Sequence, residues 1–395
     1  MPGISQRFLS VEDLHAEAKR YLPRVIFDYV EGGADDEICL DENSGRLRSF
    51  KMRPNYLVDI SRRSQQVEVF GRTYASPIGI APMGMLGMVR HNGDMTLAEV
   101  AHQSNIPFIL SGASNASIEE IAAAAPDAWA QYYPCKDPAI EHDLLERMAK
   151  AGLSTLVVTV DVPLHSKRER NMRSGWVRPY KPTPAVIFES LRHPSWVASY
   201  LRNGLPVMKN FLPYAPTGIS ARDLTAFYAS QVPAPHGWPL IQNLRQKWKG
   251  NLVVKGILGS EDVLRCIDEG VDGVIVSNHG GRQLDRSIAS IDALPSIVSA
   301  AKEKLVIMFD SGIRRGSDVA VALSLGARLC FVGRAAAYGL AAHGKPGALR
   351  AIDILRQELD LALGQIGCPD VRNLGPRFLW LRRSQETPDL ASTHY

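Results

Sequence analysis

The chain has 395 residues, of which 45% are hydrophobic and 22% are charged, a composition typical of a globular protein with an ample core. This length suits two average domains or one large, decorated α/β barrel. The formal net charge of +4 comes without a Lys/Arg-rich run, which argues against a nucleic-acid-binding protein.

The five cysteines are scattered and include no CxxC pair, so we expect neither a disulfide framework nor a metal site. A reducing, cytoplasmic compartment fits this cysteine usage. The N-terminal segment lacks the apolar stretch of a secretory signal. No run of about 18 apolar residues is present, so we expect no membrane-spanning segment.

The first predicted elements are helices. Residues 10–53 carry a helical pattern, which opens on Ser10 and Asp13 at capping-box spacing, with Asp in place of the usual Glu or Gln. We therefore predict an N-terminal helical extension over residues 10–70. Short apolar runs that alternate with amphipathic helices then predict eight strands, at residues 77–81, 108–111, 128–132, 155–159, 252–255, 273–277, 306–310 and 329–332.

Eight strand–helix units favour an α/β fold in which a closed parallel (β/α)8 TIM barrel spans residues 77–340. Residues 173–249 form a long insertion after strand four, and connections of that length are usually functional. A C-terminal helix and tail follow over residues 345–395. The chain is then one domain, from 1 to 395.

A histidine and an arginine flank two glycines directly behind the sixth predicted strand. His279 can move a proton near neutral pH, Arg282 can hold a carboxylate in a fork, and the glycines let a ligand approach the backbone. A tight turn with a surface His and Arg is the alternative interpretation of this motif alone. The other strand ends are also polar, cationic or glycine-rich, as expected for the catalytic rim of a barrel.

The loops after strands seven and eight predict a phosphate site. Gly312 and Gly333 offer backbone amides, and Arg314 and Arg334 offer guanidinium groups. Surface arginines with no ligand are the alternative. Neither a Walker A loop nor a Rossmann fingerprint is present, which argues against ATP or NAD in their usual cradles.

These motifs together resemble one known family. The ordered set DYVEGGA, PMG, QYY, TVDVP, KRE, VVKGI, SNHGGRQLD, DSGIRRGSD and GRAAAYG, between about residues 11 and 368, resembles the FMN-dependent L-2-hydroxy acid dehydrogenase/oxidase family. The resemblance implies FMN at the barrel mouth, with Arg314, Arg334, Gly312 and Gly333 at its phosphate and Asp310 at the ribityl chain. It implies Ser111, Gln131 and Thr159 at the polar edge of the flavin. The remaining cofactor-binding residues implied are Pro82, Met83, Gly84, Lys255 and Ser277.

Lys255 has a specific implied role, since a cation near N1/O2 of the flavin stabilises its reduced form electrostatically. A snorkelling lysine in the barrel is the alternative. For the substrate, the resemblance implies a carboxylate clamp made by Arg168 and Arg282, with help from the Tyr29 hydroxyl. The implied catalytic residues are His279 as the base that removes the hydroxyl proton, Asp161 as the group that orients it, and Tyr133 near the reacting hydroxyl. Hydride transfer is the working choice over proton abstraction at Cα.

Departures from the family pattern narrow the substrate. Ala113 stands where glycolate oxidases carry tryptophan, and Gly84 where they carry alanine, so the pocket should admit a large side chain. The SGASN run and the PMG turn are most similar to those of (S)-mandelate dehydrogenases, and Gly84 is typical of members that react poorly with oxygen. Met83 replaces a common threonine, which removes one side-chain contact to the flavin. We expect an aryl or bulky (S)-2-hydroxy acid as substrate; alternatives are an L-lactate dehydrogenase, an oxygen-using oxidase and a non-catalytic FMN-binding scaffold.

The insertion mixes aromatic and basic residues, notably around Phe188, Trp196 and Tyr214. This composition is typical of a membrane-interface segment, here residues 173–214, and a lid that packs Trp196 and Phe188 into the protein is the alternative. The resemblance favours the membrane, with a quinone or respiratory-chain electron acceptor, a peripheral position on the cytoplasmic side of the inner membrane, and a homotetramer. We expect His91 and His165 to be structural or surface residues.

Overall fold

The computed structural model describes residues 3–176 and 183–380. Four helices precede the barrel, with the bounds Ile4–Arg7, Val11–Tyr21, Arg24–Glu31 and Ile38–Ser49. The predicted capping box is confirmed, because Ser10 Oγ accepts a hydrogen bond from the Asp13 amide at 3.2 Å and Asp13 Oδ2 accepts one from the Ser10 amide at 2.9 Å. These bonds satisfy two amides that the start of a helix leaves without intrahelical partners.

The helical extension is shorter than the predicted 10–70, because short strands follow Ser49. Val67–Val69 pairs with Arg72–Tyr74 in an antiparallel hairpin, and Lys51–Met52 pairs with Leu379–Trp380. Burial alternates along Val67–Val69, which is the period of a strand and not of a helix. The hairpin packs against the barrel interior, where the Tyr74 hydroxyl accepts a hydrogen bond from Trp129 Nε1 at 3.2 Å.

Eight parallel strands form the barrel sheet. We number them β1 to β8: Ile78–Ile80, Ile109–Leu110, Trp129–Tyr132, Thr155–Thr159, Asn251–Ile257, Gly273–Val276, Val306–Phe309 and Leu329–Val332. Neighbours in the sheet follow the chain from β2 to β8, and β8 pairs with β1. A parallel bridge between Ile80 and Phe108 completes the ring. The predicted (β/α)8 barrel is therefore confirmed, and the observed strands differ from the predicted ones only at their ends.

Helices surround the barrel and bury one face against it. They are Leu86–Val89, Gly93–Gln103, Ile118–Ala124, Pro138–Lys150, Trp238–Lys247, Ser260–Asp268, Ser290–Ala301, Gly316–Ser324 and Arg334–Ile366. The last helix begins at Arg334, earlier than the predicted residue 345, and is interrupted by non-helical backbone at His343 and Gly344. Two 3-10 turns follow, at Val371–Asn373 and Pro376–Phe378, and residues 381–395 of the predicted tail lie outside the described residues.

The insertion after β4 is helical and divides into two kinds of surface. Its elements are Glu169–Arg173, Pro184–Ser190, Pro194–Asn203, the 3-10 turn Leu212–Tyr214 and Ala221–Gln231. Met208 and Phe211 are buried against the barrel, whereas Phe188 is 72% exposed and Leu201 77% exposed. Residues 177–182, which include the basic Arg178 and Lys181, lie outside the described residues. Within 3–176 and 183–380, no helix is long and apolar enough to cross a bilayer.

Candidate active site at the C-terminal rim of the barrel

One deep cleft opens where the C-terminal ends of the strands converge. It encloses about 1310 Å³, its mouth included. The cleft collects most of the site residues that the sequence indicates: Tyr29, Pro82, Met83, Gly84, Ser111, Ala113, Tyr133, Arg168, Lys255, His279, Arg282, Asp310, Gly312, Arg314, Gly333 and Arg334. Because parallel strands of a barrel end at the same rim, residues far apart in sequence meet there.

The other four predicted residues lie behind this wall and reach the cleft through hydrogen bonds. Asp161 bonds to His279, and Ser277 accepts a bond from Lys255 Nζ at 2.7 Å. Gln131 Nε2 donates to Thr159 Oγ1 at 2.7 Å, while Gln131 Oε1 accepts from Ser111 Oγ at 3.3 Å. The side chains that line the cleft are therefore supported by polar side chains behind them, whose hydrogen bonds fix their orientation.

The central feature of the cleft is an imidazole held by a carboxylate. His279 Nδ1 donates to Asp161 Oδ1 at 2.8 Å, and both side chains are largely buried. His279 has a φ of +59°, a conformation that the following glycines continue in a tight turn. With Nδ1 engaged by Asp161, Nε2 is left as the proton acceptor, because neutral imidazole has one donor and one acceptor nitrogen.

The electrostatic surroundings keep this histidine neutral. Burial lowers the pKa of His279, and the charges of Lys255 and Arg168 lower it further, although Asp161 opposes them. The pKa of Asp161 is lowered despite its burial, because its interactions with His279 and Lys255, which include the hydrogen bond to His279, outweigh the cost of desolvation. Asp161 Oδ2 is buried without a hydrogen-bond partner among the described residues. The pair is thus a neutral base next to an ionised carboxylate, which is the arrangement that general-base catalysis requires.

A bulge in β5 lets the carboxylate partner of His279 lie close to this strand. The register between β5 and β6 shifts between Lys255 and Ile257, and the intervening Gly256 has a φ of +106°. A Cβ atom on Gly256 would lie only 2.5 Å from the Asp161 Cβ, so a glycine is needed there. The bulge therefore lets Asp161 lie against the strand that carries Lys255.

Lys255 is a buried cation with two acidic neighbours. Its Nζ lies 3.1 Å from Asp310 Oδ2, and its pKa is raised because Asp310 and Asp161 outweigh the desolvation that burial imposes. Ser311 Oγ donates to Asp310 Oδ1 at 2.8 Å and accepts from the Gly280 amide at 3.0 Å. Lys255 therefore stays positively charged in the barrel mouth, and because its ammonium group is buried beside Asp310 it does not snorkel to water.

Two arginines of the cleft bind the end of the helix Arg24–Glu31. Arg334 Nε donates to the Val30 carbonyl at 3.1 Å and Nη2 to the Gly32 carbonyl at 3.0 Å, while Arg282 Nη1 donates to the Gly32 carbonyl at 2.8 Å. Burial and the Arg282 charge lower the pKa of Arg334 to about 10. Cations at a helix C-terminus are favoured by its exposed carbonyls, and here they attach the N-terminal extension to the barrel rim.

The same helix supplies Tyr29 to the cleft. The Tyr29 hydroxyl donates to the Gly84 carbonyl at 3.0 Å, and the Arg282 guanidinium lies 5.3 Å from the centre of the Tyr29 ring. The ring also packs against Trp176, with centroids 4.5 Å apart. Tyr29 is therefore fixed from several directions at the place where a substrate carboxylate is expected.

Some residues of the cleft were missed by the sequence analysis. Leu86, Val89, Val162, Tyr228 and Val232 form an apolar wall, and His165, expected to be structural or on the surface, lies exposed on the lining of the cleft. Trp176 behind Tyr29 was also missed. Tyr228 and Val232 come from the end of the insertion, and no motif marks them, because their role depends on how the helix Ala221–Gln231 packs.

The charge and shape of this cleft suit a flavin mononucleotide. Arg314, Arg334 and Lys255 provide cations for a phosphate and a flavin edge, and glycines rather than larger residues stand at 312 and 333. A Cβ atom on Gly84 would lie 2.7 Å from the Ala113 Cβ, so a larger residue at position 84 would clash with Ala113. No group of three or more His, Cys, Asp or Glu that could hold a metal is found within 3–176 and 183–380.

Comparison with known proteins agrees with this chemistry. The profile of the FMN-dependent dehydrogenase family matches residues 18–381. The chain belongs to this family. FMN is therefore its cofactor, and the cations and glycines of the cleft are the residues that fit it.

Individual relatives cover almost the whole chain. An (S)-mandelate dehydrogenase of Pseudomonas putida is 39% identical over 377 residues, 95% of each chain. An L-lactate dehydrogenase of Pseudomonas syringae pv. syringae is 36% identical over 372 residues, 94% of this chain and 98% of that one. The crystal structure of the monotopic membrane protein (S)-mandelate dehydrogenase superimposes with a TM-score of 0.91 and 38% identity, over 95% of this chain and 100% of that one.

Proposed function

We propose that this protein oxidises an (S)-2-hydroxy acid with an aryl or other bulky side chain, such as mandelate, to the 2-oxo acid. The observation that carries the proposal is the His279–Asp161 pair, set in a cation-lined cleft beside Arg168 and Arg282. A site that only bound FMN would need neither a neutral base nor a second pair of arginines. This is the argument against a non-catalytic FMN-binding scaffold.

The residues divide the work between binding and proton transfer. Arg168 and Arg282 bind the carboxylate, and Tyr29 adds a hydroxyl next to them. Burial and the Asp161 charge raise the pKa of Tyr133 to about 12, so its phenol stays protonated and donates a hydrogen bond to the substrate hydroxyl. FMN, when bound, supplies the two-electron acceptor for the Cα hydrogen, which we take to leave as hydride.

His279 Nε2 removes the hydroxyl proton. The resulting imidazolium is stabilised by the ionised Asp161 at 2.8 Å, so Asp161 acts through His279 and not on the substrate itself. Lys255 keeps a positive charge in the barrel mouth, where it stabilises negative charge that develops during the reaction. Ser111, Gln131 and Thr159 form one hydrogen-bonded chain that can hold a polar ring edge.

The space near Ala113 and Gly84 supports a large substituent. Both residues line the cleft together with the apolar side chains of Leu86, Val89 and Val232. An aryl ring that contacts this wall would bury apolar surface, which stabilises the complex by about 25 cal/mol per Å² of buried area. Smaller 2-hydroxy acids would leave part of this wall without contacts.

We place the protein on a membrane surface, with a quinone of the respiratory chain as electron acceptor. The support is the exposed apolar part of the insertion, including Phe188, Leu191 and Leu201, together with the exposed basic residues Arg192 and Arg202. Trp196 belongs to the packed part, because it is half-buried and its Nε1 donates to the Met88 carbonyl at 2.8 Å. The lid interpretation therefore describes Trp196, and the membrane-interface interpretation describes the exposed Phe188 and Leu201.

We further propose the cytoplasmic side of the inner membrane and a homotetramer, both implied by the family resemblance. Light scattering of the purified protein in detergent measures the assembly. A monomeric or dimeric mass would contradict the tetramer.

Anaerobic reduction tests the reaction. Purified holoenzyme mixed with (S)-mandelate should lose its flavin absorbance, and His279→Gln should keep the yellow colour but bleach far more slowly. Rapid bleaching by L-lactate and none by mandelate would assign the second candidate, an L-lactate dehydrogenase, which several relatives at 36% identity favour. Fast peroxide formation in air would instead assign an oxidase.

Vesicle sedimentation tests the membrane surface. Phe188→Ser together with Leu201→Ser should release the protein from anionic vesicles without loss of FMN, since both side chains are exposed. These substitutions are sharper than deletion of residues 182–214, because that deletion would remove the buried Met208 and Phe211. Unchanged partitioning of the double variant would contradict the membrane proposal.

A further inference from the structure

A second cleft lies between the insertion and the barrel rim. It encloses about 1220 Å³, its mouth included, and is lined on one side by the helix Pro194–Asn203 through Trp196, Ser199 and Tyr200. On the other side it is lined by Gly87, Arg90 and Asp94. None of the residues assigned above to the substrate or the cofactor lies on this lining, so the cleft is a separate feature.

Two aromatic side chains line one side of this second cleft. The Trp196 and Tyr200 rings are stacked, with centroids 5.3 Å apart and an interplanar angle of 15°. The hydrogen bond from Trp196 Nε1 to the Met88 carbonyl fixes the indole. A fixed aromatic pair suits a planar, conjugated ring, which gains offset stacking beyond the apolar area it buries.

Only one turn of helix separates this cleft from the active site. Leu86 and Val89 of the helix Leu86–Val89 line the active-site cleft, whereas Gly87 of the same turn lines the second one. The Gly87 amide donates to Asn115 Oδ1 at 2.9 Å, which ties the turn to the next loop of the rim. A helix is about 10–12 Å across with its side chains, so a ring in the second cleft would lie within one layer of protein from the flavin site.

The second cleft also contains a buried carboxyl group. Asp94 is 2% exposed, and its Oδ1 has no hydrogen-bond partner among the described residues. Its Oδ2 accepts from the Asn115 amide at 3.3 Å. Burial raises the pKa of Asp94 to about 6, so this group can carry a proton in slightly acidic to neutral conditions. A protonated carboxyl can donate a hydrogen bond to a carbonyl oxygen.

The rim of the cleft is apolar where it meets the surface proposed to contact lipid. Leu205, which follows the end of the helix Pro194–Asn203, lines the cleft and is exposed, and Leu201 is exposed on that helix. A ligand with a polar, flat head and an apolar tail could keep its tail in the lipid while its head entered the cleft. Aqueous acceptors have no such tail, which distinguishes them from this class of ligand.

We propose that this cleft binds the head group of a lipid quinone, which takes the electrons from the enzyme. The proposal rests on the proposed function, because it assumes a quinone acceptor. In the net reaction the 2-hydroxy acid loses two electrons and two protons to become the 2-oxo acid, and the quinone gains two electrons and two protons to become the quinol. The Leu86–Val89 turn would separate the electron donor in the active-site cleft from the quinone in the second cleft.

A pair of matched variants tests the cleft. Ser199→Trp places an indole in the cleft, whereas Ser195→Trp places one on the same helix outside its lining. With a decyl-substituted benzoquinone, Ser199→Trp should raise the KM at least about tenfold, and Ser195→Trp should leave it within about twofold. Turnover with ferricyanide, a small water-soluble acceptor, should stay close to that of the wild type in both. Tyr200→Ala, which removes the stack without adding bulk, should also raise the quinone KM.

Photolabelling gives a readout that does not depend on activity. An azido derivative of the same benzoquinone, irradiated with the holoenzyme in vesicles, should label peptides that contain residues 87–94 or 196–205, and excess unlabelled quinone should prevent the labelling. If anionic phospholipid prevents the labelling of these peptides and unlabelled quinone does not, the cleft is a lipid head-group site and the proposal is overturned.

The failure of this inference can be told apart from the failure of the proposed function. If the wild type reduces the quinone while Ser199→Trp and Tyr200→Ala leave its KM unchanged, the cleft is not the quinone site. If the wild type reduces ferricyanide but no quinone, the proposed acceptor is wrong and the cleft inference falls with it. If it reduces neither with any 2-hydroxy acid, the proposed reaction itself is wrong.

Discussion

Replacement of Asp161 by asparagine probes the central pair of the active site. Asparagine has nearly the same shape and can still accept the hydrogen bond from His279 Nδ1, but it carries no charge. The wild-type pair is separated by 2.8 Å and largely buried. The substitution therefore tests the charge of Asp161 while most of the geometry is kept.

The expected loss follows from the charge separation. Two unit charges about 4 Å apart interact by about 4 kcal/mol at an effective dielectric constant of about 20. Since the retained hydrogen bond offsets part of this, the imidazolium that forms during proton removal should lose about 2–4 kcal/mol of stabilisation. Each 1.4 kcal/mol is about tenfold in rate, so the rate of flavin reduction should fall about 30- to 700-fold.

Anaerobic stopped-flow reduction over a range of pH measures both the rate and its midpoint. The rate should rise with pH as His279 becomes neutral. Because Asp161 raises the pKa of His279 and the substitution removes that effect, the midpoint should move to lower pH in Asp161→Asn. Asp292→Asn, which neutralises an exposed partner of Arg46, is the control and should leave the rate unchanged. A rate within threefold of wild type, or a midpoint at higher pH, would refute the assigned role of Asp161.

Three further results are expected. Ala113→Trp should lower kcat/KM for mandelate by about 100-fold and affect L-lactate less, because the indole fills the space beside the apolar wall. Equal losses of kcat/KM on a substrate panel would contradict this. Trp176→Ala should raise the substrate KM about 2- to 12-fold at constant FMN content, since it removes the ring contact to Tyr29, and an unchanged KM would exclude that role. The pKa of Glu31 is about 2, since hydrogen bonds from His15 and Tyr338 outweigh the effect of burial. A carboxyl group whose pKa is lower in the folded than in the unfolded protein stabilises the fold at a pH above its unfolded pKa. Glu31→Gln should therefore lower the free energy of unfolding by about 2 kcal/mol at pH 7. In denaturant titrations this difference should shrink as the pH falls from about 4.5 to about 2. A difference that grows on acidification would contradict the assignment.

Much of the fold could be predicted because it depends on local patterns. The strands β4 and β8 have the predicted bounds, since each is a short buried run of mostly apolar residues between turn signals. The helical extension was predicted too long, because the strand period of Val67–Val69 covers only a few residues and competes with the helical pattern before it. The last helix was predicted to begin too late, at residue 345 and not at Arg334.

The placement of the site residues could be predicted only as far as the barrel topology reaches. A parallel barrel brings all strand ends to one rim, so Lys255, His279 and Arg334 were expected to meet. The apolar wall from Tyr228 and Val232 was not predicted, since it depends on where the insertion folds back over the rim. The same holds for Trp176, which carries no motif and whose role arises from its contact with Tyr29.

The sequence by itself determined the family and with it the class of chemistry, because its strand-end motifs resemble those of the FMN-dependent dehydrogenases, whose profile matches residues 18–381. The residue types alone left a tight turn and surface arginines open. The tertiary structure decided which of the strand-end groups act together. His279 and Asp161 are 118 residues apart, and their contact depends on the bulge at Gly256. It also decided that Phe211 is buried while Phe188 is exposed. Both side chains are equally apolar, so only packing decides which of them lies in the core and which lies on the surface that we propose to contact the membrane.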